Sequence, residues 1–180
     1  PPVVQLYTWD GSVNNWNTPH WNPGTVAWPG AGNDASVPSG QVNIPNAAGA
    51  FQVGNLGIAG GTVSVTGNDG YAGVSATTLS SGGTLTIDGV SSALGAITLA
   101  GGTLAGANPN PTSGSWQLTT AINVIGDGIT STISSPQVAL ADYARIFVVG
   151  GGATLNVSGT LRSAAGNEGL VKQGTGTMIL

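Results

Sequence analysis

Apolar side chains recur at every second residue in short runs that glycine pairs separate. Leu56 and Ile58 precede Gly60-Gly61, and Val63 and Val65 follow it. Leu79 precedes Gly82-Gly83, with Leu85 and Ile87 after it, and Ile97 and Leu99 precede Gly101-Gly102, with Leu104 after it. A period of two sends alternate side chains to opposite faces of a strand, so each run predicts a short strand with one apolar, inward face. The Gly-Gly-Thr corners at 60, 82 and 101 are spaced by 22 and 19 residues, with weaker echoes at Gly151-Gly152-Ala153-Thr154-Leu155 and Ser158-Gly159-Thr160-Leu161. Self-similarity at a period of about 20 residues is the signature of a solenoid, and glycine at each corner lets the backbone bend where a Cβ clashes.

Helical periodicity is nearly absent. The best candidate, Pro136 to Tyr143, reads PQVALADY, but Ser134-Ser135-Pro136 before it and the apolar run from Ala144 to Val149 after it predict a loop-like excursion between strands. The fold class that follows is all-β, a right-handed parallel β-helix. An antiparallel sandwich is the alternative. It calls for two-residue hairpin turns at regular spacing, whereas Asp10-Gly11, Asp69-Gly70, Asp88-Gly89 and Asp127-Gly128 are scattered.

A solenoid is vulnerable at its two ends, where a terminal coil exposes unpaired backbone groups and an open apolar interior. Residues 1–30 hold Trp9, Trp16, Trp21 and Trp28, interspersed with Pro19, Pro23 and Pro29. Indoles fill an open lumen and prolines cannot extend a ladder, so this region is read as an N-terminal cap, with residues 31–180 as the solenoid body of a single domain. No comparable cap follows the strand pattern Thr175 to Leu180, and the C-terminal end is expected to be open.

Composition narrows the partners. Three basic and seven acidic residues in 180 give a net charge of −4, and Arg145, Arg162 and Lys172 cannot build the basic patch that nucleic acid requires. Apolar residues at 40% argue against a solvated coil despite 31 glycines. No apolar run is long enough to span a bilayer, and no charged segment with an apolar core opens the chain; Pro1-Pro2-Val3-Val4 is compatible with a mature start. With no cysteine, a disulfide framework and thiolate chemistry are both excluded.

Residues Gly169 to Leu180, GLVKQGTGTMIL, resemble the autotransporter-associated β-strand repeat of Gram-negative passenger domains and related surface proteins. In that family a G-L-x-K-x-G-x-G-T-L-x-L segment runs on into Ser-Gly and a second half; residues 169–180 match the first half. Ala153 to Leu161 is similar to the coil that commonly leads into it. Thr8-Trp9-Asp10-Gly11, with Asn15-Trp16 and Trp21, is similar to the opening of many such exported proteins. The resemblance implies a β-helix, export and a place at the bacterial surface or outside the cell. It implies no particular activity.

Candidate chemistry is sparse. Asp10, Asp34, Asp69, Asp88, Asp127, Asp142 and Glu168 are spread along the chain, and glycosidic cleavage needs carboxylates that converge. Asp69 and Asp88 could stack on adjacent coils, but the glycines that follow them mark turns. Asn68-Asp69-Gly70 and Gly126-Asp127-Gly128 lack the tandem spacing of a calcium roll. His20, the only histidine, lacks partners for zinc and is read as packed or at the surface; no glycine stretch has the phosphate-loop pattern. The four N-terminal tryptophans suit either a cap or a platform that stacks on sugar rings. Trp116 is read as packed over a coil or loop.

The function expected is that of an extracellular structural or adhesive solenoid without enzymatic activity, cofactor or metal. Thr175, Thr177, Met178, Ile179 and Leu180 form its expected assembly edge, to be covered by a second copy stacked head to tail into a filament or by further coils of a longer chain. A glycan-binding module using Trp9, Trp16, Trp21 and Trp28 is the alternative, with a polysaccharide partner, and a polysaccharide-degrading enzyme is the third.

Overall fold

A computed structural model describes residues 3–24, 28–45, 51–107, 115–140, 144–163, 166 and 168–180. The chain is an all-β solenoid, and no helix occurs among these residues. The first rung is β1 (Leu6–Trp9) and β2 (Val13–Asn15), followed by a short return strand, β3 (Trp21–Asn22). Two-strand rungs follow: β4 (Asp34–Val37) with β5 (Gln41–Ile44), then β6 (Gln52–Ile58) with β7 (Thr62–Val65). From there a third wall appears, as β8 (Gly73–Ser80), β9 (Thr84–Ile87) and β10 (Ser91–Leu94) make one coil and β11 (Ala96–Ala100), β12 (Thr103–Gly106) and β13 (Ser115–Leu118) the next. The pattern repeats in β14 (Ile122–Val124), β15 (Thr130–Ile133) and β16 (Gln137–Leu140), and in β17 (Arg145–Val149), β18 (Thr154–Val157) and β19 (Thr160–Ser163). The last rung is β20 (Leu170–Gln173) and β21 (Thr177–Ile179).

These strands stack into three walls. The first is a nine-stranded sheet ordered β20-β17-β14-β11-β8-β6-β4-β1-β3, the second an eight-stranded sheet from β2 to β21, and the third a four-stranded sheet of β10, β13, β16 and β19. Neighbours pair parallel throughout, except that β3 runs antiparallel to β1. In parallel register, equivalent side chains lie directly over one another at about 4.8 Å per rung. One inward file of the first wall runs Tyr7, Ala35, Leu56, Thr77, Ile97, Ile122 and Phe147, all buried. Its one hydroxyl-bearing aliphatic, Thr77, is satisfied by the Tyr71 hydroxyl at 2.7 Å, and burial pushes that phenol above its ordinary range. Each fully buried Leu, Ile or Val in such a file contributes roughly 1.5–3 kcal/mol.

The glycine corners have a two-part logic. Gly82 has φ +82°, the left-handed region in which a Cβ is strained, and turns the chain from the first wall to the second. Gly83 follows in ordinary conformation, but a Cβ there would lie 2.1 Å from the Ile58 carbonyl oxygen of the rung below. The corner is therefore tight both along the chain and between rungs.

Two expectations from the sequence are corrected. Within Pro136 to Tyr143, Gln137–Leu140 is β16, paired parallel between β13 and β19, because Val138 and Leu140 fill inward positions and the ladder satisfies the backbone on both sides; residues 141–143, Asp142 among them, lie outside the described residues. Trp116 packs inside the lumen, not over it. It stands above Ser92 in the third wall, and that small side chain leaves room for an indole whose N–H donates to the Ala105 carbonyl at 2.8 Å.

Candidate functional site at the two ends of the solenoid

At the first end the chain folds back along β1, while the outer edge of β2 has no strand neighbour among the described residues. After β2, the segment from Trp16 to Asn22 crosses back and β3 pairs with the outer edge of β1, Trp21 opposite Trp9 and Asn22 opposite Thr8. Leu6 to Asn22 thus supply both a solenoid rung and a strap along the β1 edge of it. Trp9, Trp16 and Trp21 are buried, and the rings pack edge to face: Trp9 on Trp21 at 4.8 Å between centroids, and Trp16 on Phe51 at 5.4 Å. The Trp9 indole donates to the Ser12 carbonyl and the Trp21 indole to the Trp16 carbonyl, whereas the Trp16 indole N–H is buried without a hydrogen-bond partner. Trp28 is the one aromatic of the four with an open face, 47% exposed and seated edge-on against Trp16.

A polar latch ties this strap down. His20 Nδ1 lies 2.7 Å from Asp10 Oδ2 and His20 Nε2 lies 3.0 Å from Asn14 Nδ2, while the Ser12 amide donates to Asp10 Oδ1. With the Asn14 amide nitrogen facing it, Nε2 accepts and Nδ1–H donates to the carboxylate. These bonds from His20 and Ser12 hold the Asp10 carboxyl down at about 2. A Ser-His-Asp relay would put a hydroxyl on Nε2; an amide occupies that place, and Ser12 reaches Asp10 through its backbone. The arrangement joins β1, β2 and the strap.

The remaining described carboxylates stay apart. Asp34 Oδ1 accepts from the backbone and side-chain amides of Asn55 one rung on. Asp69 sits at φ +53° in the turn before Tyr71, and the Asp69 amide donates to the Ser91 carbonyl. Glu168 Oε2 accepts from the Ser163 hydroxyl at the far end. Among the described residues no three of His, Asp and Glu gather as metal ligands, and no cavity opens.

The second end is built differently. Leu161, Leu170 and Met178, one from each wall, are half-buried against the core, and Val171, Ile179 and Leu180 are 39%, 51% and 78% exposed. Thr177 and Met178 pair with Thr154 and Leu155 below, while Thr175 and Gly176 form the preceding corner. Gly176 is confined by that stacking, since a Cβ there would meet the Gly150 carbonyl oxygen at 2.1 Å. The expected assembly residues therefore do share one rung. Lys172, which the sequence offers only as one of three scattered basic residues, stands beside them: it pairs with Phe147 and so continues the inward file of the first wall, with its ammonium donating to the Gly174 carbonyl at 2.7 Å. An inward charge on an edge strand is a recognised defence against further pairing. Comparison of the chain with protein-family models, with curated proteins and with solved structures finds no match in any of the three.

Proposed function

We propose that this protein is a structural or adhesive β-solenoid that works outside the cell without enzymatic activity, its function residing in the stiffness and surface of the rod. The observation that carries this reading is the continuity of the ladders: stacked side chains fill the interior from Tyr7 to Phe147, and His20 and Asp10 at the first end are bonded to each other. The extracellular setting rests on the resemblance of residues 169–180 to the autotransporter-associated repeat.

The rung of β20 and β21 is where further parallel rungs join, whether they come from further coils of a longer chain or from a second copy. Head-to-tail filaments through both ends would require β3 to leave the edge of β1. A second copy therefore adds a parallel rung at the 170–179 face only where its own β3 has left β1. Electron microscopy and intact mass of natively isolated material test this. Rods longer than the roughly 40 Å that eight rungs give support it; compact particles that cleave polysaccharide overturn it.

A glycan-binding reading now centres on Trp28, whose face is open while Trp9, Trp16 and Trp21 are buried. Fluorescence titration with polysaccharides, compared between the native chain and Trp28→Ala, separates it from the structural one.

A further inference from the structure

The outward files of the two long walls carry apolar side chains at both ends of the rod. In the second wall one file begins at Val13 and finishes at Ile179, and every position between is polar: Gln41, Thr62, Thr84, Thr103, Thr132 and Asn156. Val13 is 67% exposed and Ile179 51%. In the first wall Leu6 and Val171 immediately precede Tyr7 and Lys172, the two ends of the inward file, so they finish one outward file, and both are exposed. A single exposed apolar side chain is ordinary, but here four of them fall in matched pairs at the ends of two files. Further coils after Leu180 would cover Val171 and Ile179 and leave Leu6 and Val13 bare, whereas a second copy covers all four.

Resting on the structural reading of the rod, we propose that two copies of this chain meet head to tail, Val13 of one on Ile179 of the other and Leu6 on Val171, and that β3 is the gate of this junction. Continuing the register of the first wall puts Tyr7 of the added copy over Lys172 and Thr8 over Gln173. With β3 in place the first wall is one strand longer than the second at this end, and that step of about 4.8 Å holds Val13 away from Ile179. The gate is short. Its pairing covers Trp21 with Trp9 and Asn22 with Thr8, and Pro19 and Pro23 on either side keep the ladder from lengthening. The buried Trp21 ring and the bond from His20 to Asp10 hold it shut. When it opens, the half-buried Leu161, Leu170 and Met178 of the other copy replace the cover that Trp21 gave. The apparent affinity of the junction is reduced by the fraction of chains whose strap is released, so β3 sets the concentration at which rods join. Lys172 lies in the same junction, and its charge is a second restraint on it.

The test is sedimentation velocity of the full chain across a concentration series. The chain has no cysteine of its own, so Thr8→Cys with Asn22→Cys places one pair on facing positions of β1 and β3, and their disulfide fixes the strap. The native chain and the reduced double variant are expected to associate, and the oxidised form to associate about tenfold more weakly or not at all. Val13→Glu and Ile179→Glu each charge one end at an exposed position, so the circular dichroism spectrum and melting midpoint should match those of the native chain. Each alone is expected to stay monomeric. Their equimolar mixture is expected to form dimers and nothing longer, because the intact second end of the first variant meets the intact first end of the other. A mixture that stays monomeric overturns the proposal. Association of the oxidised pair as strong as that of the reduced pair also overturns it, as does a native chain that is monomeric up to its solubility limit. Those results leave the structural reading to a rod built from further coils of a longer chain; cleavage of polysaccharide by the monomeric native chain removes that reading as well.

Discussion

Lys172 stands one rung above Phe147, in a file whose lower members are all uncharged and buried. A rung laid on top of it would have to cover an ammonium whose one fixed partner is the Gly174 carbonyl. The rung of β20 and β21 therefore combines apolar side chains that favour cover with a charge that is costly to cover.

Replacing that charge should release the edge. In Lys172→Leu the inward file ends on an apolar side chain, and self-association is expected to strengthen by about tenfold or more, equivalent to about 1.4 kcal/mol. Sedimentation velocity across a concentration series reads this directly. The paired substitutions Met178→Lys and Ile179→Lys should move association the opposite way.

Gly83→Ala and Gly89→Ala separate stacking from backbone strain. At Gly83 the new Cβ meets the Ile58 carbonyl at 2.1 Å, so two rungs must part, and a loss of about 3 kcal/mol or more is expected. Gly89 has φ +66° and open space around it, so only the backbone term applies, about 1 kcal/mol. Equal losses in denaturant titrations would show that the corner glycines serve backbone conformation alone.

Trp21→Ala should cost about 3–5 kcal/mol, since it removes a buried ring from the cluster with Trp9 and Phe51. Trp28→Ala, at the exposed edge of the same cluster, should cost well under half as much. The comparison measures how much of the cap lies in the strap.

Asp10 makes the cap sensitive to acid. Its carboxyl is lowered from 3.8 to about 2 by His20 and Ser12, so the folded state binds that proton less readily than the unfolded chain. The resulting stabilisation is fully present above pH 4 and is lost as pH falls through about 2. Asp10→Asn should lower the melting midpoint at pH 5 and make almost no difference near pH 1.5. Because the carboxylate is exposed, solvent screening keeps the effect small.

The alternation of apolar residues and the glycine punctuation were enough to identify a solenoid and to place the strands around the Gly-Gly corners, though not β1 to β5 or most of the third wall, because both signals follow from local geometry: a strand has period two, and a sharp corner excludes Cβ. That local information says which residues share a face. It does not say which residue lies over which, because vertical register is set by backbone pairing between residues some 20 positions apart. Lys172 illustrates the difference: Leu170 to Gln173 alternates ambiguously, and only the pairing of Leu170 with Arg145 places the lysine in the inward file. Trp116 is inside because Ser92 happens to lie beneath it, and β3 reverses because the strap must cross an edge that no earlier rung covers. Sequence periodicity determined the rung; tertiary stacking decided its neighbours and the strap that folds back along β1.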